Sequence, residues 1–166
     1  MNRAIDYNLF QIGDVTLQSG MKLKDAFLAY KTYGDRNPEK DNAIVYPTWF
    51  SGQHYENEWL IGPGKALDPT KYFIVVPNMP GNGLSSSPSN IPEPLDAARF
   101  PRVTAYDNVT IQQRFIDSLG IRKIRLVTGW SMGGNQTYHW AALYPDMVQN
   151  ILPFQGAARW GKEPGR

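Results

Sequence analysis

The sequence of 166 residues contains no cysteine and only two histidines, His54 and His139. Without cysteine, the chain cannot form a disulfide framework, a zinc ribbon or a thiol nucleophile. With only two histidines, few side chains could serve as metal ligands, and we expect no metal site. The 17 basic and 15 acidic residues give a formal net charge of +2. This charge is too small to indicate a nucleic-acid partner.

Long apolar segments are also missing. No stretch approaches the roughly 18 uninterrupted apolar residues of a transmembrane helix, so we expect no contact with a membrane. The N-terminus lacks a basic flank followed by an apolar run, so no secretory signal is visible and we expect a cytoplasmic protein. The chain is 42% hydrophobic. That content suffices for a core, and we treat residues 1–166 as part of one domain.

Short apolar runs alternate with helical patterns along the chain. Runs rich in Val, Ile, Tyr and Phe predict strands at residues 27–34, 43–50, 72–78, 123–129 and 148–154. Turn signals before the first run indicate an additional antiparallel hairpin at the sheet edge. The fourth run lies between two helical patterns, of which the first ends at Gly120 and the second before Pro145. The alternation predicts an α/β fold, with a mostly parallel sheet and helices on both faces.

The most specific motif is G-x-S-x-G, in which Ser131 lies between Gly129 and Gly133. Gly134 directly follows the motif. It follows an apolar run and opens a predicted helix, which is the setting of a nucleophile elbow. Glycines in this elbow allow the strand and the helix to approach each other. We therefore predict that Ser131 is a nucleophile, held on a tight and strained turn.

An oxyanion hole needs backbone N–H groups near that nucleophile. The helix after Ser131 begins with the free N–H of Met132, which is the first predicted donor. The second donor should come from the loop after the run that begins at residue 43. The register there leaves two candidates, the backbone N–H of Phe50 or that of Trp49.

Beyond the elbow, the chain resembles the homoserine O-acetyltransferase family of the α/β-hydrolase superfamily. The resemblance extends over residues 23–159 and rests on the strings LAYKTYG, DNAIVYPTWFSG, GPGKALD, YFIVVPNMPGNGLSSSP, FPRVTAYDNV, GWSMGG and HWAALYPDMVQNI. It implies an α/β-hydrolase fold and a ping-pong reaction on small molecules, in which Ser131 accepts an acyl group. Acetyl-CoA would be the donor substrate and an amino-acid hydroxyl the acceptor, with no bound cofactor. An Asp and a His would activate the serine.

The chain departs from this family after the elbow. In this fold the acid and the base follow the nucleophile along the chain, but after Ser131 the only histidine is His139. It lies eight residues along the same predicted helix, about 12 Å away, beyond hydrogen-bond reach. His54 follows the oxyanion loop and is a candidate for substrate contact, although chain order argues against it as the base. The chain resembles an N-terminal half truncated after about the sixth strand, and we expect it to be inactive in isolation.

Several hypotheses remain open at this point. The chain is an acyltransferase, a carboxylic-ester hydrolase of the same fold, or a non-catalytic module that retains the half-fold. Nucleotide binding would depend on two glycine loops, at residues 61–68 and 81–86, and each of them lacks part of its motif. A sheet that stops at its sixth strand exposes an edge and an apolar face, so we expect self-association through that edge.

Overall fold

The computed structural model describes residues 6–158, which form a six-stranded sheet with flanking helices. The strands are β1 (Asn8–Thr16), β2 (Lys22–Tyr33), β3 (Ala43–Val45), β4 (Phe73–Pro77), β5 (Ile124–Trp130) and β6 (Ile151–Phe154). The α-helices are α1 (Ala105–Ser118) and α2 (Met132–Leu143), and 3-10 helices span His54–Leu60 and Ala97–Arg99. None of the helices in this described part has the length and apolar character needed to cross a membrane.

The strand order in the sheet is β1-β2-β4-β3-β5-β6. Strands β1 and β2 form the predicted antiparallel hairpin, and β2 pairs antiparallel with β4. The remaining pairs, β4 with β3, β3 with β5 and β5 with β6, are parallel. The prediction of a mostly parallel α/β sheet is therefore confirmed. Among the described residues, β1 and β6 are the two edge strands.

Alternate residues of the central strands face two separate apolar layers. Ala43 and Val45 of β3 pack with the buried residues of α1 and with Trp140 of α2. Ile44, between them, belongs to the opposite layer, which Ile61 and Leu67 complete. Both faces are thus covered, as period-two alternation requires. Both α-helices lie on one face, and the segment that includes the 3-10 helix His54–Leu60 covers the other.

The strand predicted at residues 43–50 is shorter than expected, because β3 ends at Val45. Pro47 has no N–H for the sheet ladder, and its carbonyl oxygen turns towards α2, where a Cβ on Gly133 would lie 2.6 Å from it. Residues 46–52 therefore form a loop above the carboxyl end of β3. We call this segment the oxyanion loop, after its predicted role.

The outer edge of the sheet at β6 is apolar and exposed. Ile151, Leu152 and Phe154 are between 36% and 48% exposed, and Trp130 at the end of β5 is 41% exposed. The carbonyl of Asn150 accepts a hydrogen bond from Val127 N of β5, and the carbonyl of Phe154 accepts one from Ser131 N. The backbone groups of these even-numbered residues therefore face β5, and those of Pro153 face outwards. Proline offers no N–H to a further strand. An edge of this kind presents apolar side chains but few backbone donors.

Candidate active site

Ser131 occupies a strained turn between β5 and α2. Its backbone angles are φ 49° and ψ −115°, a conformation that costs roughly 1–3 kcal/mol for a residue with a side chain. Two backbone hydrogen bonds hold it there: Ser131 N donates to Phe154 O at 2.9 Å, and Asn135 N donates to Ser131 O at 3.0 Å. The Ser131 side chain makes no capping hydrogen bond to α2. Its hydroxyl is therefore left for another role.

The three glycines around Ser131 stand where a side chain would meet backbone. A Cβ on Gly129 would lie 2.4 Å from the carbonyl carbon of Gly133, and one on Gly134 would lie 2.9 Å from Phe154 O. With the Gly133 contact to Pro47, these approaches join β5, α2, β6 and the oxyanion loop. The close packing explains why this elbow requires glycine at all three positions.

The oxyanion loop faces the start of α2 and carries two backbone N–H groups without a hydrogen-bond partner among residues 6–158, those of Trp49 and Phe50. The neighbouring amides are occupied: Thr48 N donates to Pro77 O, and Gly52 N donates to Trp49 O. The N–H of Met132, in the first turn of α2, has no intrahelical acceptor. The structure thus leaves all three predicted donors free, and it leaves the choice between Trp49 and Phe50 open.

Asn82, which the sequence analysis did not single out, holds the oxyanion loop from one side. Its amide nitrogen donates to Trp49 O at 3.1 Å and to Gly52 O at 2.6 Å. Its Oδ1 accepts from Ser51 N at 2.9 Å. These three bonds fix the turn in which Ser51 adopts a positive φ of 63°. The turn that presents the free amides is therefore rigidly held by a side chain from the next loop.

Two cavities, of about 380 and 450 Å³, border Met132 at the start of α2. Met79, Val103 and Asn108 line both of them. Phe50 contributes to the smaller cavity, and His139 to the larger. These spaces suit a small organic substrate next to the free amide of Met132.

A third cavity, of about 420 Å³, lies beside the elbow and is mainly aromatic. Tyr46, Trp49, Trp59 and Trp130 line it together with Glu56. Burial raises the pKa of Tyr46 to about 12, so its phenol stays neutral. Glu56 is the only acidic or basic side chain among these residues.

His54 does not have the position expected of a substrate contact. It is only 1% exposed, its Nε2 lies 2.9 Å from Asp6 Oδ1, and its Nδ1 lies 3.2 Å from Asn78 Nδ2. Asn78 Oδ1 accepts from His54 N, so the Asn78 amide nitrogen faces Nδ1, and the ring proton is on Nε2. The hydrogen bond from His54 lowers the pKa of Asp6. With both ring nitrogens occupied, His54 has no free group for a substrate, which corrects that expectation.

His139 is half-buried on α2, and its Nδ1 donates to Asn135 O at 3.0 Å. This bond holds the ring against its own helix, eight residues beyond Ser131 and about 12 Å along the axis. Neither histidine is therefore placed to activate Ser131. In residues 6–158, no group of three or more His, Cys, Asp or Glu side chains is arranged to hold a metal ion.

Comparison with curated proteins finds both esterases and acetyltransferases. An ethyl acetate hydrolase of Pseudomonas veronii is 43% identical over 155 residues, covering 92% of this chain and 44% of that protein. A homoserine O-acetyltransferase of Methanohalobium evestigatum is 40% identical over 170 residues, covering 92% of this chain and 35% of that protein. The chain therefore spans less than half the length of these relatives.

Solved structures give the same two activities. The acetyl esterase MekB superimposes with a TM-score of 0.92 at 42% identity, over 94% of this chain and 46% of that one. A homoserine O-acetyltransferase from Bacillus anthracis superimposes with a TM-score of 0.76 at 30% identity, over 87% of this chain and 45% of that one. The family model described as alpha/beta hydrolase fold matches residues 50–152. Together with the strand order and the elbow at Ser131, this match shows that the chain belongs to the α/β-hydrolase fold family.

Proposed function

We propose that Ser131 is the nucleophile of an acyl-transfer reaction that proceeds through an acyl-enzyme. The observation that carries the proposal is the elbow itself: a strained serine with an uncapped hydroxyl next to the free N–H of Met132. Its Oγ attacks the carbonyl carbon of an ester and loses its proton to a base. The oxygen that becomes negative accepts hydrogen bonds from Met132 and from Trp49 or Phe50. Expulsion of the leaving group, with a proton, leaves Ser131 acylated.

We propose hydrolysis of small acetyl esters as the first activity. The supporting observations are the similarity to an ethyl acetate hydrolase and to an acetyl esterase, and the small size of the 380 Å³ cavity beside Met132. Water would then attack the acyl-enzyme and release acetate. The geometry of the elbow is intact, which favours this activity over a non-catalytic module.

Acetyl transfer from acetyl-CoA to an amino-acid hydroxyl is the second candidate. It is supported by the 40% identity to a homoserine O-acetyltransferase. The two candidates share the acyl-enzyme and differ in the donor, an ester or acetyl-CoA, and in the acceptor, water or a hydroxyl, that removes the acyl group. The residues that exclude water or admit an amino acid decide between them.

We further propose that the acid and the base of the triad are not among residues 6–158. His54 is buried in a complete set of hydrogen bonds, and His139 is bound to its own helix. The isolated chain should therefore carry a nucleophile without a general base. In this state any acyl-enzyme that forms should be released slowly, because no residue activates the second acceptor.

The missing base makes the proposal testable on the chain itself. The purified chain is treated with a fluorophosphonate in the absence and presence of imidazole, and intact mass reports the adduct, with Ser131→Ala as control. We expect slow labelling that imidazole accelerates and that Ser131→Ala abolishes. Equal labelling of both chains, or none at any imidazole concentration, would contradict the nucleophile role.

The same chain distinguishes the two acceptors. It is incubated with p-nitrophenyl acetate or with acetyl-CoA, in imidazole, and acetylation of Ser131 is followed by mass. Loss of the acetyl group is then compared with and without homoserine. The hydrolase is supported if only the ester acetylates Ser131 and homoserine does not change the loss of the acetyl group. The transferase is supported if acetyl-CoA acetylates Ser131 and homoserine speeds the loss of the acetyl group.

A further inference from the structure

A chain of hydrogen bonds runs through the core from α1 and α2 to the oxyanion loop. Trp140 Nε1 donates to Gln112 Oε1 at 3.0 Å, and Gln112 Nε2 donates to Gln136 Oε1 at 2.6 Å. Gln136 Nε2 then donates to the backbone oxygen of Thr48 at 3.0 Å. All four residues are buried, at 0–1% exposure. We call Trp140, Gln112 and Gln136 the glutamine relay.

The direction of the glutamine relay is fixed at both ends. The indole N–H of Trp140 can only donate, and the carbonyl of Thr48 can only accept. The two side-chain amides between them can therefore take only one orientation. If Gln112 or Gln136 were flipped, two donors or two acceptors would face each other. Such a mismatch, in the buried core, leaves polar groups unsatisfied. The relay is thus a single arrangement rather than one of several.

The glutamine relay ends on the peptide that precedes a candidate oxyanion donor. In a planar trans peptide the C=O and the following N–H point in opposite directions, so the bond to Thr48 O sets the direction of the Trp49 N–H. Gln136 Nε2 is also 3.2 Å from Met132 O, within the first turn of α2. One side-chain amide therefore ties the oxyanion loop to the turn that carries Ser131 and Met132.

We propose that Gln136 is a positioning residue, which through the glutamine relay sets the oxyanion loop relative to the nucleophile. The inference rests on the proposed function of Ser131. Gln136 also lines the larger cavity beside Met132, but we assign it no contact with a reacting atom. Its role is to fix where the free amides of the loop lie. Asn82 holds the far side of the same turn, through Trp49 O and Gly52 O. The free amides thus lie between two side-chain anchors that come from different parts of the chain.

Gln136→Met tests this role, because methionine keeps the length of the side chain and removes the donor to Thr48 O. The matched control is Gln113→Met, next to Gln112 on α1, where the native side chain is half-buried and pairs with Asp117 of its own helix. Two readouts are made on the 166-residue chain. They are the amide chemical shifts of residues 48–50 by NMR, and the imidazole-dependent rate of fluorophosphonate labelling.

We expect Gln136→Met to move the amide signals of residues 48–50 and to slow labelling roughly tenfold to a hundredfold, the scale of a displaced oxyanion donor. The control should change neither. Labelling at the parent rate, or amide signals that stay in place, would overturn the positioning role. If Gln136→Met does not unfold cooperatively, Gln112→Met is used instead, because it removes the preceding hydrogen bond of the glutamine relay. This variant should give the same changes in amide signals and labelling rate, at smaller size. If it behaves like the parent chain, the positioning role is also overturned.

The two proposals fail in different ways. If the parent chain is not labelled at Ser131, the proposed function fails, and the positioning role fails with it even where the amide signals move. If Ser131 is labelled but Gln136→Met behaves like its control, only the positioning role fails.

Discussion

The turn after the carboxyl end of β5 and the sheet edge at β6 differ in how their polar and apolar groups are satisfied. Around the elbow and the oxyanion loop, the buried Gln136 and the half-buried Asn82 use their hydrogen bonds to fix a few backbone groups. At β6, by contrast, residues 6–158 leave apolar side chains exposed and the outer strand edge unpaired. The first region is completed by its own residues, whereas the second is not. The first region is where we propose the nucleophile and the oxyanion donors, and neither histidine lies free beside it.

The largest expected effect comes from filling the contact between α2 and the oxyanion loop. In Gly133→Ala the new Cβ would lie 2.6 Å from Pro47 O, so the helix or the loop must move. We expect a loss of about 2–3 kcal/mol in the free energy of unfolding, measured by urea denaturation. Gly64→Ala is the control: it has open space but a φ of +75°, and should cost only about 1 kcal/mol. Equal costs would show that the elbow is not tightly packed.

The exposed edge gives a second prediction, for the proposed self-association. Leu152 on β6 and Leu9 on β1 are 48% and 50% exposed, on opposite edge strands. If the chain associates through β6, Leu152→Lys should weaken association in analytical ultracentrifugation, while Leu9→Lys should not. Because Pro153 removes a backbone donor, this contact should depend on apolar side chains. Equal effects of both variants, or a monomeric parent chain, would contradict it.

The smallest effect concerns pH. The hydrogen bond from His54 holds the pKa of Asp6 below its usual range, so the ionised carboxylate stabilises the folded chain. This contribution is present above the unfolded pKa and is lost as the pH falls through the folded value. In the parent chain the free energy of unfolding should fall below about pH 4, and we expect Asp6→Asn to make this fall smaller. At neutral pH, the dependence of the free energy of unfolding on pH should be the same in both chains. An identical acid dependence in both chains would argue against the Asp6–His54 bond.

Local patterns predicted several structural features correctly. The G-x-S-x-G string after an apolar run placed Ser131 between a strand and a helix, and turn residues predicted the β1–β2 hairpin. Gly120 ends α1 in the left-handed region, with a φ of 71°, as its position in the pattern indicated. These features depend on residues that are neighbours in sequence.

Features that depend on distant partners were not predictable. His54 is buried by Asp6 and Asn78, which are 48 and 24 residues away. Gln112 and Gln136 are 24 residues apart on different helices, so their hydrogen bond depends on how the two helices pack together. The apolar run at residues 43–50 is equally consistent with a strand and with a buried loop. The strand ends at Val45, and the close approach of Pro47 to Gly133 on α2 favours a loop beyond it.

The most direct test of the account is the intact mass of the 166-residue chain after fluorophosphonate treatment, with and without imidazole. We expect one adduct on Ser131, formed slowly alone and faster with imidazole, and absent in Ser131→Ala. The absence of an adduct under both conditions, or an adduct that survives Ser131→Ala, would contradict the claim that this elbow holds a competent nucleophile.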